Sequence, residues 1–117
     1  VPAAILHDIG IRPAEEKFGS SAARLQEQEG PPVAREILLR VGLAAGHIDE
    51  ICGIIAHHHS PGVIDTVNFR IVYDADQLVN LRGAAQGKGQ DELRAMIEKA
   101  FLTGTGKRVA EREFGQT

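Results

Sequence analysis

Apolar residues along the chain recur at helical rather than alternating spacing, and Gly and Pro punctuate the runs. Ala3, Ala4, Ile5, Leu6 and Ile9 predict a first helix over 3–9, which Gly10 would end as a left-handed C-cap. Residues 12–30 are polar and rich in small side chains. A short helix near 21–29, capped by Ser20 or Ser21, is the only element their pattern suggests. After Gly30-Pro31-Pro32, Val33, Ile37, Leu38 and Val41 mark a helix that opens on the prolines and ends near Leu43. Ile48, Ile51, Cys52 and Ile55 mark another, from Gly46 or His47 to His59, broken by Ser60-Pro61-Gly62. A helix over 67–81 is apolar on two sides and therefore predicted to be central. Residues 83–90 read as a flexible connection, and Asp91 opens a last helix with Leu93, Met96, Ile97, Ala100 and Phe101 as its stripe. No strand pattern and no repeat is present, so the fold class expected is all-α, a bundle of about five to six helices.

Composition narrows the classes. With 117 residues and 43% hydrophobic content the chain has material for one core, so 1–117 is expected to be a single domain. A formal charge of −3 supplies no basic surface for stable nucleic-acid or anionic-membrane binding. The single cysteine, Cys52, excludes an internal disulfide framework and lies among isoleucines as a buried thiol, which suits a reducing, cytoplasmic setting. No apolar run approaches the roughly 18 to 20 residues of a membrane span, and no signal-peptide pattern is present. The chain opens at Val1-Pro2 directly into apolar residues, from which an upstream segment is expected. Gly104-Thr105-Gly106-Lys107 is not a phosphate-binding loop, because Phe101 and Arg108 stand where that loop needs Gly and Ser or Thr.

Chemistry concentrates in three polar clusters on otherwise apolar helices: His7-Asp8, His57-His58-His59, and Asp76. A polar group buried on such a face needs a partner or a metal to offset its desolvation. Imidazole with carboxylate suits a first-row divalent ion. At about 100° per residue, Asp76 shares a face with Phe69, Val72, Tyr73 and Val79, while Asp74 points away as a supporting or surface group. His58 and His59 continue the face of Ile51, Cys52 and Ile55, and His57 projects nearly opposite, although a helix end can reverse that order. Against this stand the plainer readings, a local His-Asp hydrogen bond and a solvated histidine terminus complementing the helix dipole. His47, at a helix start, is expected at the surface.

The order His-Asp, then a histidine cluster ending a helix, then Asp in Tyr-Asp-Ala-Asp-Gln-Leu, resembles the HD superfamily of metal-dependent phosphohydrolases. Residues 3–10 are similar to its signature helix end, 33–41 to the helix before the histidine cluster, and 71–79 to the helix with the closing Asp. The resemblance implies a metal set of His7, Asp8, His58, His59 and Asp76, with two of the three clustered histidines used. It implies a divalent cofactor (Mn, Fe, Co, Ni, Zn or Mg), as one or two ions, with Asp8 bridging if there are two. It further implies that a metal-activated water attacks a phosphate ester, a nucleotide or related small phosphorylated substrate. Asp8 and His7 would serve as catalytic residues, and Lys17 or Arg12 would hold the phosphate. Two departures stand out. The family's histidine before the doublet lies on a helix that would precede Val1, so the resemblance implies an N-terminal helix upstream, and the position of a further histidine falls at about Gln26, with Glu27 or Glu29 as substitutes. Ser60-Pro61-Gly62-Val63 does not match the motif of cyclic-di-GMP phosphodiesterases. A di-iron oxygenase of the same fold and a non-catalytic metal- or nucleotide-sensing module are the alternatives, and a homo-oligomer is compatible with the sequence.

Overall fold

A computed structural model describes residues 1–114, and within them it contains seven helices and no strand. Contacts divide the chain into two compact units, Val1–Asp65 and Thr66–Thr117. No helix of the described residues is long and apolar enough to cross a membrane.

The first unit comprises α1 (Pro2–Leu6), α2 (Ile11–Phe18), α3 (Ala23–Arg40) and α4 (Ala45–His57). Its core is the pairing of α3 with α4. From α4, Ile48, Ile51, Cys52, Ile54 and Ile55 are buried. From α3 the buried residues are Gly30, Ala34 and Leu38, a stripe at intervals of four. Small residues on α3 against branched ones on α4 allow close approach, and each fully buried isoleucine contributes about 1.5–3 kcal/mol.

The expected helix start at Pro31 is corrected, because α3 runs unbroken through Gly30-Pro31-Pro32. A proline inside a helix costs about 3 kcal/mol or more through its missing N–H and its ring. Tertiary packing offsets this: Gly30 is buried beneath Ile55, and the Cys52 thiol donates to the Pro31 carbonyl at 3.6 Å. Gly10 is also corrected. It is right-handed at φ −80° and serves as the N-cap of α2, a helix the polar pattern had not suggested. Its lack of a side chain is needed for space, since a Cβ there would lie 2.4 Å from the Gln26 carbonyl and 2.7 Å from the Gly30 amide nitrogen. The left-handed cap is instead Gly19 at φ 67°, whose amide donates to the Glu15 carbonyl and ends α2.

The second unit comprises α5 (Val67–Ala84), α6 (Gln90–Ala100) and α7 (Gly104–Phe114). Thr66 caps α5 by accepting from the Phe69 amide at 3.2 Å. Leu81, Leu93, Ile97, Phe101 and Ala110 form a buried cluster shared by the three helices. The connection expected over 83–90 is shorter, because α5 continues to Ala84 and α6 begins at Gln90. The stretch Gly104–Phe114, where the sequence pattern was ambiguous, is helical as α7.

Asp74, expected as a supporting or surface group, is not at the surface, and it holds the chain that leads into α7. It is 6% exposed and accepts from the amides of Leu102 (2.8 Å) and Thr103 (3.0 Å) and from the Thr103 hydroxyl (2.6 Å). The Thr103 hydroxyl oxygen in turn accepts from the Gly106 amide at 2.8 Å, which satisfies one of the amides that the first turn of α7 leaves without an intrahelical partner.

Candidate metal centre

The first unit places two helix ends so that two imidazoles face one carboxylate. His7 is the C-cap of α1, and its Nδ1 lies 2.6 Å from the Ala4 carbonyl oxygen. His58 is the C-cap of α4, with Nδ1 2.6 Å from the Ile55 carbonyl oxygen. Each ring reaches three residues back to a carbonyl at the end of its own helix, where such groups lack intrahelical partners. A carbonyl only accepts, so Nδ1 carries the hydrogen and each ring presents Nε2 outward.

Both Nε2 atoms face Asp8. His7 Nε2 lies 3.2 Å from Asp8 Oδ2, and His58 Nε2 lies 3.6 Å from Asp8 Oδ1. The two rings are nearly perpendicular with centroids 5.4 Å apart, and the His59 ring sits 3.9 Å from that of His58. Asp8, His58 and His59 each offer a donor atom, all within 4.8 Å of one another, which is close enough for one small cation.

Whether these residues fit a metal is decided at His58. The residue is 2% exposed, and its Nε2 is buried with no hydrogen-bond partner. Burial pushes its pKa below 6.5; the hydrogen bond to Ile55 and the Asp8 charge oppose the shift, while His59 and His7 reinforce it. The neutral ring therefore aims a lone pair at a carboxylate, and an ionised carboxylate has no hydrogen to give. Two acceptors turned toward each other inside a protein call for a cation between them, and imidazole nitrogen with carboxylate oxygen is a donor set for first-row divalent ions. The carbonyl bond on Nδ1 is the kind of outer support that fixes a ligating histidine. Asp8 is half exposed, so the site is open on one side.

The remaining residues expected at the site fall out as follows. His59 is exposed, with Nε2 2.9 Å from Gln26 Oε1, so the position read as that of a further histidine does reach the cluster, carrying an amide. Glu27 anchors the main chain there: Oε2 accepts from the His59 amide at 3.1 Å and Oε1 from the Ser60 hydroxyl at 2.8 Å. Glu29 pairs with Lys17 at 2.7 Å, and Arg12 pairs with Glu16 at 3.2 Å on the surface. His57 is half-buried, and His47 is exposed at the start of α4. Asp76 lies on α5 in the second unit and is half-buried. Sequence reasoning missed Gln26 and Glu27 as supports of His59, since contacts 32 and 33 residues apart leave no local signal.

No curated protein and no solved structure matches the chain. The HD domain family model matches residues 2–81, more than half of its length. That family is largely one of metal-dependent hydrolases, and HD domains bind divalent metals. A histidine-aspartate doublet at one helix end, facing a buried histidine at another within the matched span, agrees with that match, and the chain belongs to the HD-domain family.

Proposed function

We propose that this protein is a metal-dependent phosphohydrolase acting on a phosphomonoester or phosphodiester of a nucleotide or related small molecule. The observation that carries the reading is the buried, unpartnered Nε2 of His58 aimed at the Asp8 carboxylate. Asp8, His58 and His59 would hold the cation, with His7 beside Asp8. A divalent ion bound there supplies Lewis acidity toward a phosphoryl oxygen and lowers the pKa of water.

The chain's own groups do the rest. His58 is kept neutral by burial, so its lone pair is available near neutral pH. Asp8 is the half-exposed carboxylate of the cluster, the one that water reaches, and it orients that water and takes its proton. His7 Nε2 lies 3.2 Å from Asp8 Oδ2 and brings a second imidazole lone pair beside the carboxylate. Lys17 or Arg12 supplies positive charge to the substrate phosphate, which requires Lys17 to leave Glu29, or Arg12 to leave Glu16. The test is a panel of nucleotide monoesters and diesters offered to metal-stripped protein reloaded with Mn, Fe, Co, Ni, Zn or Mg. Hydrolysis that depends on the added ion and disappears in Asp8→Ala is expected. Activity that survives in Asp8→Ala, or that needs no ion, refutes the reading.

A further inference from the structure

His58 and His59 are neighbours in sequence but are held in opposite ways. The His58 ring is fixed by a carbonyl of its own helix, through Nδ1. The His59 ring is fixed by a side chain of α3, through Nε2. The orientation of that side chain is itself determined. Gln26 Nε2 donates to the Ser21 carbonyl at 2.5 Å, and turning the amide over would set two oxygens against each other at that distance. Only Oε1 is left to face His59, and an amide oxygen only accepts, so His59 Nε2 carries the ring hydrogen and the lone pair resides on Nδ1. Glu27, the next residue of α3, holds the His59 amide and the Ser60 hydroxyl, so the main chain that carries the ring is fixed from the same helix.

We propose that Gln26 is a positioning residue that sets the tautomer of His59, so that His59 offers Nδ1 and His58 offers Nε2 to the cation. The functional meaning rests on the metal reading above, but the tautomer can be read without any metal. The experiment is two-bond proton–nitrogen correlation NMR on the full chain labelled with nitrogen-15 in histidine, metal-free and at a pH where imidazole is neutral, with His59 assigned from a His59→Gln variant. In the wild type the Nε2–H form of His59 and the Nδ1–H form of His58 are expected. Gln26→Leu should move the His59 ratio toward Nδ1–H by roughly threefold to tenfold, the worth of one hydrogen bond.

His58 reports whether each variant is folded, because its Nδ1–H form depends on the end of α4 being intact. If Gln26→Leu loses that signal, the wild-type spectrum decides alone. A wild-type His59 in the Nδ1–H form overturns the proposal, as does an unchanged ratio in a folded Gln26→Leu. Zinc added to the labelled protein should then shift Nδ1 of His59 and Nε2 of His58; a shift at Nε2 of His59 overturns the proposal. If zinc shifts no histidine while the tautomers are as expected, the positioning by Gln26 is upheld and the metal reading fails.

Discussion

Replacing Asp8 by Asn separates what the carboxylate does for a cation from what it does to the fold. In the wild type, His58 Nε2 and Asp8 Oδ1 are 3.6 Å apart, beyond hydrogen-bond reach, and neither has a hydrogen for the other. A buried acceptor left in that condition costs about 1–3 kcal/mol. The Asn amide has the volume of the carboxylate and brings an N–H. If it closes on His58 by about 0.6 Å, it forms an ordinary hydrogen bond. With the His7 ring hydrogen on Nδ1, the 3.2 Å approach of His7 Nε2 to Asp8 Oδ2 is also one of two acceptors, so the variant loses no hydrogen bond there. The net effect expected in metal-free protein is a gain of about 1 kcal/mol, or about 4 °C in Tm for a chain of this size. With zinc or manganese at a hundredfold excess over its Kd, the wild type gains about 2.7 kcal/mol by linkage and Asp8→Asn gains little, so the order of stabilities reverses. Urea unfolding with chelator and then with metal reads both halves. An Asp8→Asn variant less stable than wild type in chelator, or equally stabilised by metal, refutes the reasoning.

Further outcomes follow from other parts of the structure. Gly10→Ala should destabilise the protein by about 2–3 kcal/mol in urea unfolding, because the new Cβ meets backbone atoms of Gln26 and Gly30 that no side-chain rotation can relieve. Asp74→Ala should cost about 2–4 kcal/mol, since it strips the amides of Leu102 and Thr103 of their acceptor, and metal titration of the folded variant should match the wild type. In metal-free protein, stability should fall as pH drops below 6.5: the unfolded His58 then binds a proton that the folded one, with its depressed pKa, refuses until a lower pH. His58→Gln should flatten that dependence in unfolding curves collected across the acid range.

The all-α class and the bodies of α4 and α5 were legible because apolar residues at helical spacing report directly on the face a helix buries. The reading of Gly30-Pro31-Pro32 as a helix start followed a sound local rule that lost to packing: α3 needs Gly30 beside Gly10 and Ile55, and continuing through the prolines preserves the buried stripe. The same crossing explains Gly10, where a demand for space looks in sequence like a demand for a left-handed cap. The helical tail α7 was hidden because the residues that lead into it, Leu102 and Thr103, are held by Asp74, 29 residues upstream of Thr103. On α5, the face used to choose Asp76 is not uniformly buried, since Val79 is 71% exposed while Phe69 is fully buried. At the site, periodicity turned both His58 and His59 inward; the two lie near Asp8, and His57 is not in that group. What periodicity could not supply was the order of burial: His58 is enclosed and His59 exposed, because α4 ends at His57 and the chain turns there.

The most direct test of the account is calorimetric titration of metal-stripped protein with a divalent ion, comparing the wild type with His58→Ala, Asp8→Ala and the surface variant His47→Ala. Saturable binding in the wild type and in His47→Ala, weakened by roughly tenfold or more in each of the other two, is the result predicted. Equal affinity in all four proteins, or no binding in the wild type, contradicts the claim that Asp8 and His58 grip a common cation.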